Sequence, residues 1–296
     1  LNTNRDIITN AIDYFYLEGF KMAIDIKDSI NRLDWAEELI TYLEDRVRKY
    51  VDSEPLTLKF AIMESKSNAP RQEEFNQFLK KYFKINPAGM ASLRMNVVKD
   101  IPPTINIALG DVVENIRISY EYLAQAIARE HGMSGGELEY IYFPSTDKPK
   151  DLDARINSVF KGKLQQDITR KIKTFEPFMG GKYRIREIAS LSNLNKHREP
   201  ISVINVAKKI SIKNKETNFT IEELQVGLLL DSKSIDIYSI PIFESSKLTF
   251  TQPVPDLIIA LHKIKGNTNK ESGENVLQYL KESVILARQV VNSFTN

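Results

Sequence analysis

The amino-acid sequence predicts an α+β protein with a helical first part, a β-rich last part and one closing helix. Over most of the first 200 residues, apolar side chains recur at steps of three and four, which is typical of amphipathic helices. After Pro200, short segments rich in β-formers alternate with polar turns, which predicts antiparallel strands. The predicted domains are a helical domain at 1–200 with a β excursion at 56–99, and a sheet plus C-terminal helix at 201–296, packed as one unit.

A long helix is predicted in the first quarter of the chain, ending near "YVDSEP", with a shorter helix around 5–17 before it. The apolar stripe of the long helix consists of Ile26, Ile30, Leu33, Ala36, Ile40, Leu43 and Val47. The segments "LTLKFAIME" and "SLRMNVVKD" come next and predict two strands, because they are short, partly alternating and rich in β-formers.

Between these two strands, residues 70–84 predict an amphipathic helix with an aromatic face. The face contains Phe75, Phe78, Leu79, Tyr82 and Phe83, at positions i, i+3, i+4, i+7 and i+8. It either packs on the body of the protein or contacts a partner, by docking a protein or by stacking on bases. For docking to a protein partner, the candidate residues are Phe75, Phe78 and Tyr82.

The most regular helical pattern follows the Pro102-Pro103 pair and covers 104–131. A strand "YIYFP" is predicted next, then helices over 151–175 and 185–198. The segments after residue 200 predict an antiparallel meander. The closing helix has a stripe made of Leu277, Leu280, Val284, Ala287, Val291 and Phe294.

Composition excludes several classes of function. The 296 residues include no cysteine, which excludes disulfides, thiolate catalysis and cysteine-based metal centres. No pair or triple of His and acidic residues has a recognisable metal spacing, so we expect neither a metal nor another cofactor. No run of about 18 apolar residues and no signal-peptide pattern occurs, so we expect a cytoplasmic protein with no membrane association.

Positive charge is concentrated between residues 161 and 198, a segment that contains ten Lys or Arg and only three acidic residues. We call it the basic segment. The whole chain carries a net charge of only +2, so the remainder is net negative. This pattern is expected for an anion-binding face, although a solvated helix surface gives the same count. The candidate RNA-binding residues are Lys171, Lys173, Arg184, Arg186, Lys196 and Arg198.

Two motifs suggest a family. The stretch "LGDVVENIRISYEYL" is followed by "FEPF" and then by "LSNLNKHR". This order resembles a widespread, largely uncharacterised bacterial and phage family with a GD-x-x-x-N-x-R-x-x-x-D-H-L helix, an FP strand, a Q-P-[YF] turn and an L-x-N-x-D-K-H-R motif. The resemblance covers about residues 30–296, with the aromatic insert as an addition.

The Arg and the His of the family's first motif, five residues apart, resemble the R-x-x-x-x-H signature of HEPN-type helical domains. Many such domains are metal-independent ribonucleases. The resemblance therefore implies a HEPN-like helical bundle with a two-stranded insertion, packed on a C-terminal antiparallel sheet and closing helix. It also implies a homodimer, because HEPN-type domains commonly pair their motif helices across a dimer.

The chain matches the first motif at Gly110, Asp111, Asn115 and Arg117. It departs from that motif at Tyr122, which stands where the family has the histidine, and the preceding acid is Glu121.

In the second motif Asn195 stands where the family has Asp, whereas Lys196, His197 and Arg198 match. Metal-free RNA cleavage needs a group with a pKa near 7 to move the 2′-hydroxyl proton, and a cation to hold the phosphate. Tyrosine, with an ordinary pKa of about 10, is a poor base, so His197 is the candidate. Arg117 is the candidate cation.

Both candidates have a structural alternative. Glu114 and Glu121 flank Arg117 at i−3 and i+4, which favours ion pairs within one helix. The basic cluster 196–198 comes just before Pro200 and would complement the dipole at a helix C-terminus.

We therefore expect an RNA-associated, HEPN-like protein that acts as a metal-independent endoribonuclease of a bacterial defence or stress system. Arg117 and His197 are its expected catalytic residues. The alternative is a non-catalytic protein-interaction module that retains the fold and binds a partner through the aromatic helix at 70–84.

Overall fold

The computed structural model describes residues 24–62, 90–197, 201, 203–214, 220–229, 234–241, 248–250, 255–259 and 275–295. Helices and antiparallel sheets both occur among these residues, which confirms the α+β class. The predicted helix at 5–17 and the predicted aromatic helix at 70–84, with Phe75, Phe78 and Tyr82, lie outside the described residues.

The α-helices of the described chain agree well with the apolar patterns. They are α1 (Lys27–Asp52), α2 (Pro103–Glu130), α3 (Leu152–Phe160), α4 (Gln166–Thr174), α5 (Ile185–His197) and α6 (Val276–Asn292). On α1 the centre of the predicted stripe is buried, with Leu33, Ala36 and Leu43 fully enclosed, whereas Ile30 and Val47 towards its ends are half-buried. Proline begins α2 at a position where its missing N–H removes no helical hydrogen bond. Within the described ranges, no helix has the length and apolar character needed to cross a membrane.

The predicted strand "YIYFP" is wrong. Residues 135–140 form a 3₁₀ helix, and the residues that follow form no strand. Ile141 and Phe143 are nevertheless buried, and Phe143 lies 5.5 Å from Tyr120, centroid to centroid. Alternating burial occurs here because the segment packs on helical side chains, so the alternation does not report pairing with another strand. One isolated bridge, Thr146 to Phe178, is the nearest ladder contact.

The strands form two antiparallel sheets in the described part of the chain. They are β1 (Leu56–Ile62), β2 (Met90–Val97), β3 (Val203–Asn214), β4 (Thr220–Leu229), β5 (Ser234–Pro241), β6 (Leu248–Phe250) and β7 (Pro255–Ile259). The first sheet has the order β1-β2-β5, with Leu56 opposite Val97. In the second sheet, β3 pairs with β4, β6 and β7.

The pairing departs from the meander expected after residue 200. Strand β5 follows β4 in sequence but pairs with β2, and Met90 is opposite Pro241. A third strand, β5, from the later part of the chain therefore extends the predicted β1–β2 pair. A meander prediction assumes that consecutive strands are neighbours, and β5 does not follow that rule.

The chain divides into two compact units, and each is discontinuous in sequence. The described part of the first unit covers 24–36, 114–189 and 283–295, and its core includes Leu33, Ile116, Leu123, Ile127 and Phe160. The second unit covers 37–113 and 190–282, with both sheets and a core that includes Leu43, Tyr50, Leu56, Met95 and Leu109. The predicted boundary near residue 200 stays a prediction.

Candidate functional site

A polar cluster joins α1 to the motif face of α2. The Arg32 guanidinium donates from Nη1 to Asn115 Oδ1 at 3.2 Å and from Nη2 to the phenol oxygen of Tyr122 at 3.4 Å. The same guanidinium carbon lies 5.6 Å from the centroid of the Tyr122 ring. Asn115 is only 7% exposed, so its amide needs a partner, and Arg32 supplies one.

The motif arginine lies on the same stretch of α2. Arg117 Nε donates to Glu121 Oε1 at 2.8 Å, and the two side chains are 19% and 21% exposed. The ion pair that the i, i+4 spacing favoured is therefore confirmed. It orients the guanidinium along the helix and offsets part of its charge. We name Arg32, Asn115, Arg117, Glu121 and Tyr122 the α2 polar cluster. It has two separate parts, because the helical period places Arg117 and Glu121 on a different side of α2 from Asn115 and Tyr122.

Arg32 was missed by the sequence reasoning. It lies at the edge of the α1 stripe, next to buried Leu33, and is half-buried. An arginine at such an edge is ordinary on a surface helix, because its stem covers apolar surface while its head meets water. Its position beside the stripe was the only available signal, since a hydrogen bond between two helices leaves no periodic pattern.

The two motif helices contact each other at Gly110 of α2 and Asn195 of α5. A Cβ atom at Gly110 would lie 2.6 Å from Asn195 Nδ2 and 2.9 Å from its Cγ and Oδ1. The two motif helices therefore pack against each other at this point. A side chain at Gly110 would displace the Asn195 amide.

Two further motif residues, Asp111 and His197, have ionisable side chains. Burial raises the pKa of the Asp111 carboxyl above its ordinary value. His197 is the last residue of α5, which agrees with a basic helix end, and Lys196 before it is exposed. Arg198 lies outside the described residues. The pairing of Arg117 with His197 stays a prediction.

Many cations of the basic segment have acidic partners elsewhere in the sequence. Lys163 Nζ lies 3.0 Å from Glu137 Oε1, and Lys161 reaches the same oxygen at 3.3 Å. Lys163 is the main reason that the pKa of Glu137 is lowered, with a smaller contribution from the Ser134 backbone.

Two of the candidate RNA-binding residues are ion-paired in the same way. Lys173 lies 2.8 Å from Asp153 Oδ1, and Arg186 Nη2 lies 2.8 Å from Asp147 Oδ1. The excess of Lys and Arg counted along residues 161–198 is therefore larger than the positive charge that the folded protein presents to an anion.

Two more of the six candidates, Lys171 and Arg184, also have structural contacts. Lys171 donates to the Ser293 carbonyl oxygen, and its Nζ lies 4.9 Å from the Phe294 ring centroid. Arg184 has a φ of 55°, in the left-handed region, and its N–H donates to the Gly181 carbonyl oxygen at 3.0 Å. The Lys171 side chain therefore packs within the first unit, and the Arg184 backbone forms part of the turn before α5.

Among the described residues, no group of three or more His, Asp and Glu could hold a metal ion. The α2 polar cluster instead offers guanidinium, amide and phenol groups, which are donors suited to an oxyanion. A comparison with protein-family models, with curated proteins and with solved structures finds no match to this chain.

Proposed function

We propose that this protein is an RNA-associated, HEPN-like protein and a metal-independent endoribonuclease of a bacterial defence or stress system. The proposal includes a HEPN-like arrangement of the helices, packed on the C-terminal sheet, and a homodimer. The observation that carries it is the presence of two guanidinium groups on the motif-bearing part of α2. Arg117 pairs with Glu121 on one side of the helix, and Arg32 bonds to Asn115 on another. Guanidinium groups bind phosphate oxygens by paired, charge-assisted hydrogen bonds.

In the proposed reaction, the 2′-hydroxyl of a ribose loses its proton to His197 and its oxygen attacks the adjacent phosphorus. The 5′-oxygen of the next nucleotide leaves and takes a proton from solvent, and protonated His197 returns its proton to solvent. The products are a 2′,3′-cyclic phosphate and a free 5′-hydroxyl. Arg117 stabilises the charge that builds on the phosphate oxygens, a role typical of arginine in phosphoryl transfer. Glu121 holds the guanidinium in place until a phosphate displaces or shares it.

The test is cleavage of total RNA by the purified protein in the presence of EDTA. His197→Ala and Arg117→Ala are each expected to lower the rate by about a hundred- to ten-thousand-fold. Tyr122→Phe is expected to leave the rate nearly unchanged, because the phenol is not the base.

Arg129→Ala is the matched control. Arg129 lies on the same helix and is exposed, and its one hydrogen bond within the described residues is to Gln125, at 3.2 Å. It should retain the wild-type rate. Equal loss of activity in Arg129→Ala and Arg117→Ala would contradict a specific role for Arg117. Thermal unfolding of each variant separates lost chemistry from lost folding.

A second candidate is a non-catalytic interaction module, favoured by one specific feature. Where the family has a histidine, Tyr122 accepts a hydrogen bond from Arg32, and Arg117 is already ion-paired. Such a cluster can bind an anionic partner without moving a proton. A wild type that binds RNA or a protein but cleaves no RNA at any salt concentration would select this candidate.

A further inference from the structure

A small cavity lies between the last turns of α1 and the segment that leads into α2, within the second unit. Its volume is about 220 Å³. Pockets for drug-sized ligands measure about 300–1,000 Å³, so this cavity suits a smaller group.

Three cations and one carboxylate line the cavity: Arg46, Lys49, Lys99 and Asp100. The Arg46 guanidinium lies 4.8 Å from the centroid of the Tyr42 ring and has no carboxylate within ion-pair distance among the described residues. The charge of Arg46 is therefore not offset by an acidic side chain in this part of the chain.

The other two cations differ in how they are held. Lys49 Nζ lies 2.6 Å from Asp45 Oδ2, and Lys99 Nζ donates to the Ser53 carbonyl oxygen at 2.5 Å, which leaves the full charge of Lys99 in place. The lining therefore has an excess of positive charge even when Asp45 and Asp100 are counted.

Hydrogen bonds fix the backbone of the cavity wall before a ligand arrives. The Tyr50 hydroxyl donates to the Lys99 carbonyl oxygen at 3.1 Å, and the Val98 N–H donates to the Pro55 carbonyl oxygen at 2.8 Å. Prior ordering of this kind lowers the entropic cost of binding. Thr104, in a first helical turn without acidic residues, adds a hydroxyl to the lining.

We propose that this cavity binds a phosphate group, carried by a nucleoside monophosphate or by the 5′ end of an RNA. Arg46 offers a planar pair of donors to two phosphate oxygens, and Lys99 and Lys49 act as point charges beside it. The first turn of α2 adds a partial positive charge, although the cations and the cavity suffice without it. This site is separate from the α2 polar cluster and does not require that the protein cleave RNA.

The first experiment is calorimetric titration at constant ionic strength with inorganic phosphate, adenosine 5′-monophosphate and adenosine. Saturable binding of the first two, and none of adenosine, is expected. Arg46→Gln and Lys99→Gln should each lower the affinity for adenosine 5′-monophosphate by about ten- to a hundredfold, because a hydrogen bond to a charged group is lost.

Arg48→Gln is the matched control. Arg48 lies on the same helix, is exposed, pairs with Asp45 at 2.7 Å, and does not line the cavity. Its affinity should stay within about twofold of wild type, since only a surface ion pair changes. Within the described ranges, Arg46 contacts only the Tyr42 ring, so Arg46→Gln still tests the proposal if Lys99→Gln unfolds the protein.

A second comparison identifies the source of the phosphate, using one oligoribonucleotide with a 5′-phosphate or a 5′-hydroxyl. A preference of about tenfold for the phosphorylated end, lost in Arg46→Gln, would assign the RNA end as ligand. Binding of adenosine 5′-monophosphate without that preference would assign the free nucleotide. Equal binding of adenosine and its monophosphate, no saturable binding, or equal loss in Arg48→Gln would overturn the proposal.

Discussion

At the scale of single residues, Tyr120 combines an apolar environment with a polar atom. The side chain is buried in α2 against Phe143, and in the part of the chain that the structure describes its hydroxyl has no hydrogen-bond partner. A buried hydroxyl without a partner has lost its hydration and gained nothing in return, so it destabilises the folded state.

Tyr120→Phe is therefore expected to raise the free energy of unfolding by about 1 kcal/mol, measured by urea denaturation. Tyr122→Phe, two residues away, is the comparison. It removes the acceptor of the Arg32 hydrogen bond and should leave stability unchanged or slightly lower. A destabilised Tyr120→Phe protein would show that the hydroxyl makes a favourable contact in solution.

The same tyrosine makes stability depend on alkaline pH. Burial raises the pKa of Tyr120 above its ordinary value of 10.0. Above that pH the unfolded phenol releases its proton while the folded phenol keeps it, so the unfolded state binds fewer protons and stability falls as pH rises. Tyr120→Phe should lose this part of the decline. Chemical denaturation at a series of pH values on both sides of 10 measures it, and parallel curves for the two proteins would contradict the assignment.

At the scale of elements, the contact between α2 and α5 depends on the absence of a side chain at Gly110. Alanine favours a helix by about 1 kcal/mol over glycine, but its Cβ would overlap the Asn195 amide. The two effects oppose each other in the single variant. They separate when Asn195 is also shortened.

A double-mutant cycle with Gly110→Ala and Asn195→Ala is expected to give a coupling free energy of about 1 kcal/mol or more, with the double variant more stable than the sum of the singles predicts. Gly136→Ala is the control, since a Cβ there meets nothing within 4 Å, and it should not couple to Asn195. Additive free energies of unfolding for Gly110→Ala and Asn195→Ala would mean that the helices separate easily at this point.

The elements also show what the sequence could predict. Helices α1, α2 and α6 were predictable because each buries one continuous stripe, and steps of three and four report that burial directly. The segment at 140–144 was not, because alternation reports two different environments and says nothing about a neighbouring strand. The pairing of β5 with β2 was also hidden, since it joins distant parts of the sequence.

The candidate site was predictable to the extent that it follows motifs. The spacing of Glu121 from Arg117 predicted their ion pair. Arg32 was not predictable, because its contacts run between helices. The partners of the basic segment were hidden for the same reason, since Glu137 and Asp153 lie outside it in sequence.

At the scale of the whole molecule, nucleic-acid affinity depends on the cations that remain available after folding. The four substitutions Lys171→Gln, Lys173→Gln, Arg184→Gln and Arg186→Gln together should weaken RNA binding and flatten its salt dependence. Each phosphate contact removed from single-stranded RNA changes the slope of log affinity against log salt by about 0.7. Fluorescence anisotropy with labelled RNA at several salt concentrations measures both quantities.

Glu137→Gln tests the same electrostatics in the opposite direction. It removes the carboxylate that pairs with Lys161 and Lys163, so RNA binding should become tighter and more salt-dependent. Affinity unchanged in both the quadruple variant and Glu137→Gln would remove the basic segment from the RNA-binding surface.

The pairing of β5 with β2 has a consequence for the order in which the chain folds on the ribosome. β1 and β2 emerge early, but the second edge of β2 must wait until residues 234–241 have been synthesised. During that interval β2 exposes unpaired N–H and C=O groups, which can pair with the strands of another nascent chain. A product truncated between α5 and β5 would keep that edge open permanently, so it is expected to aggregate where the full chain stays monodisperse.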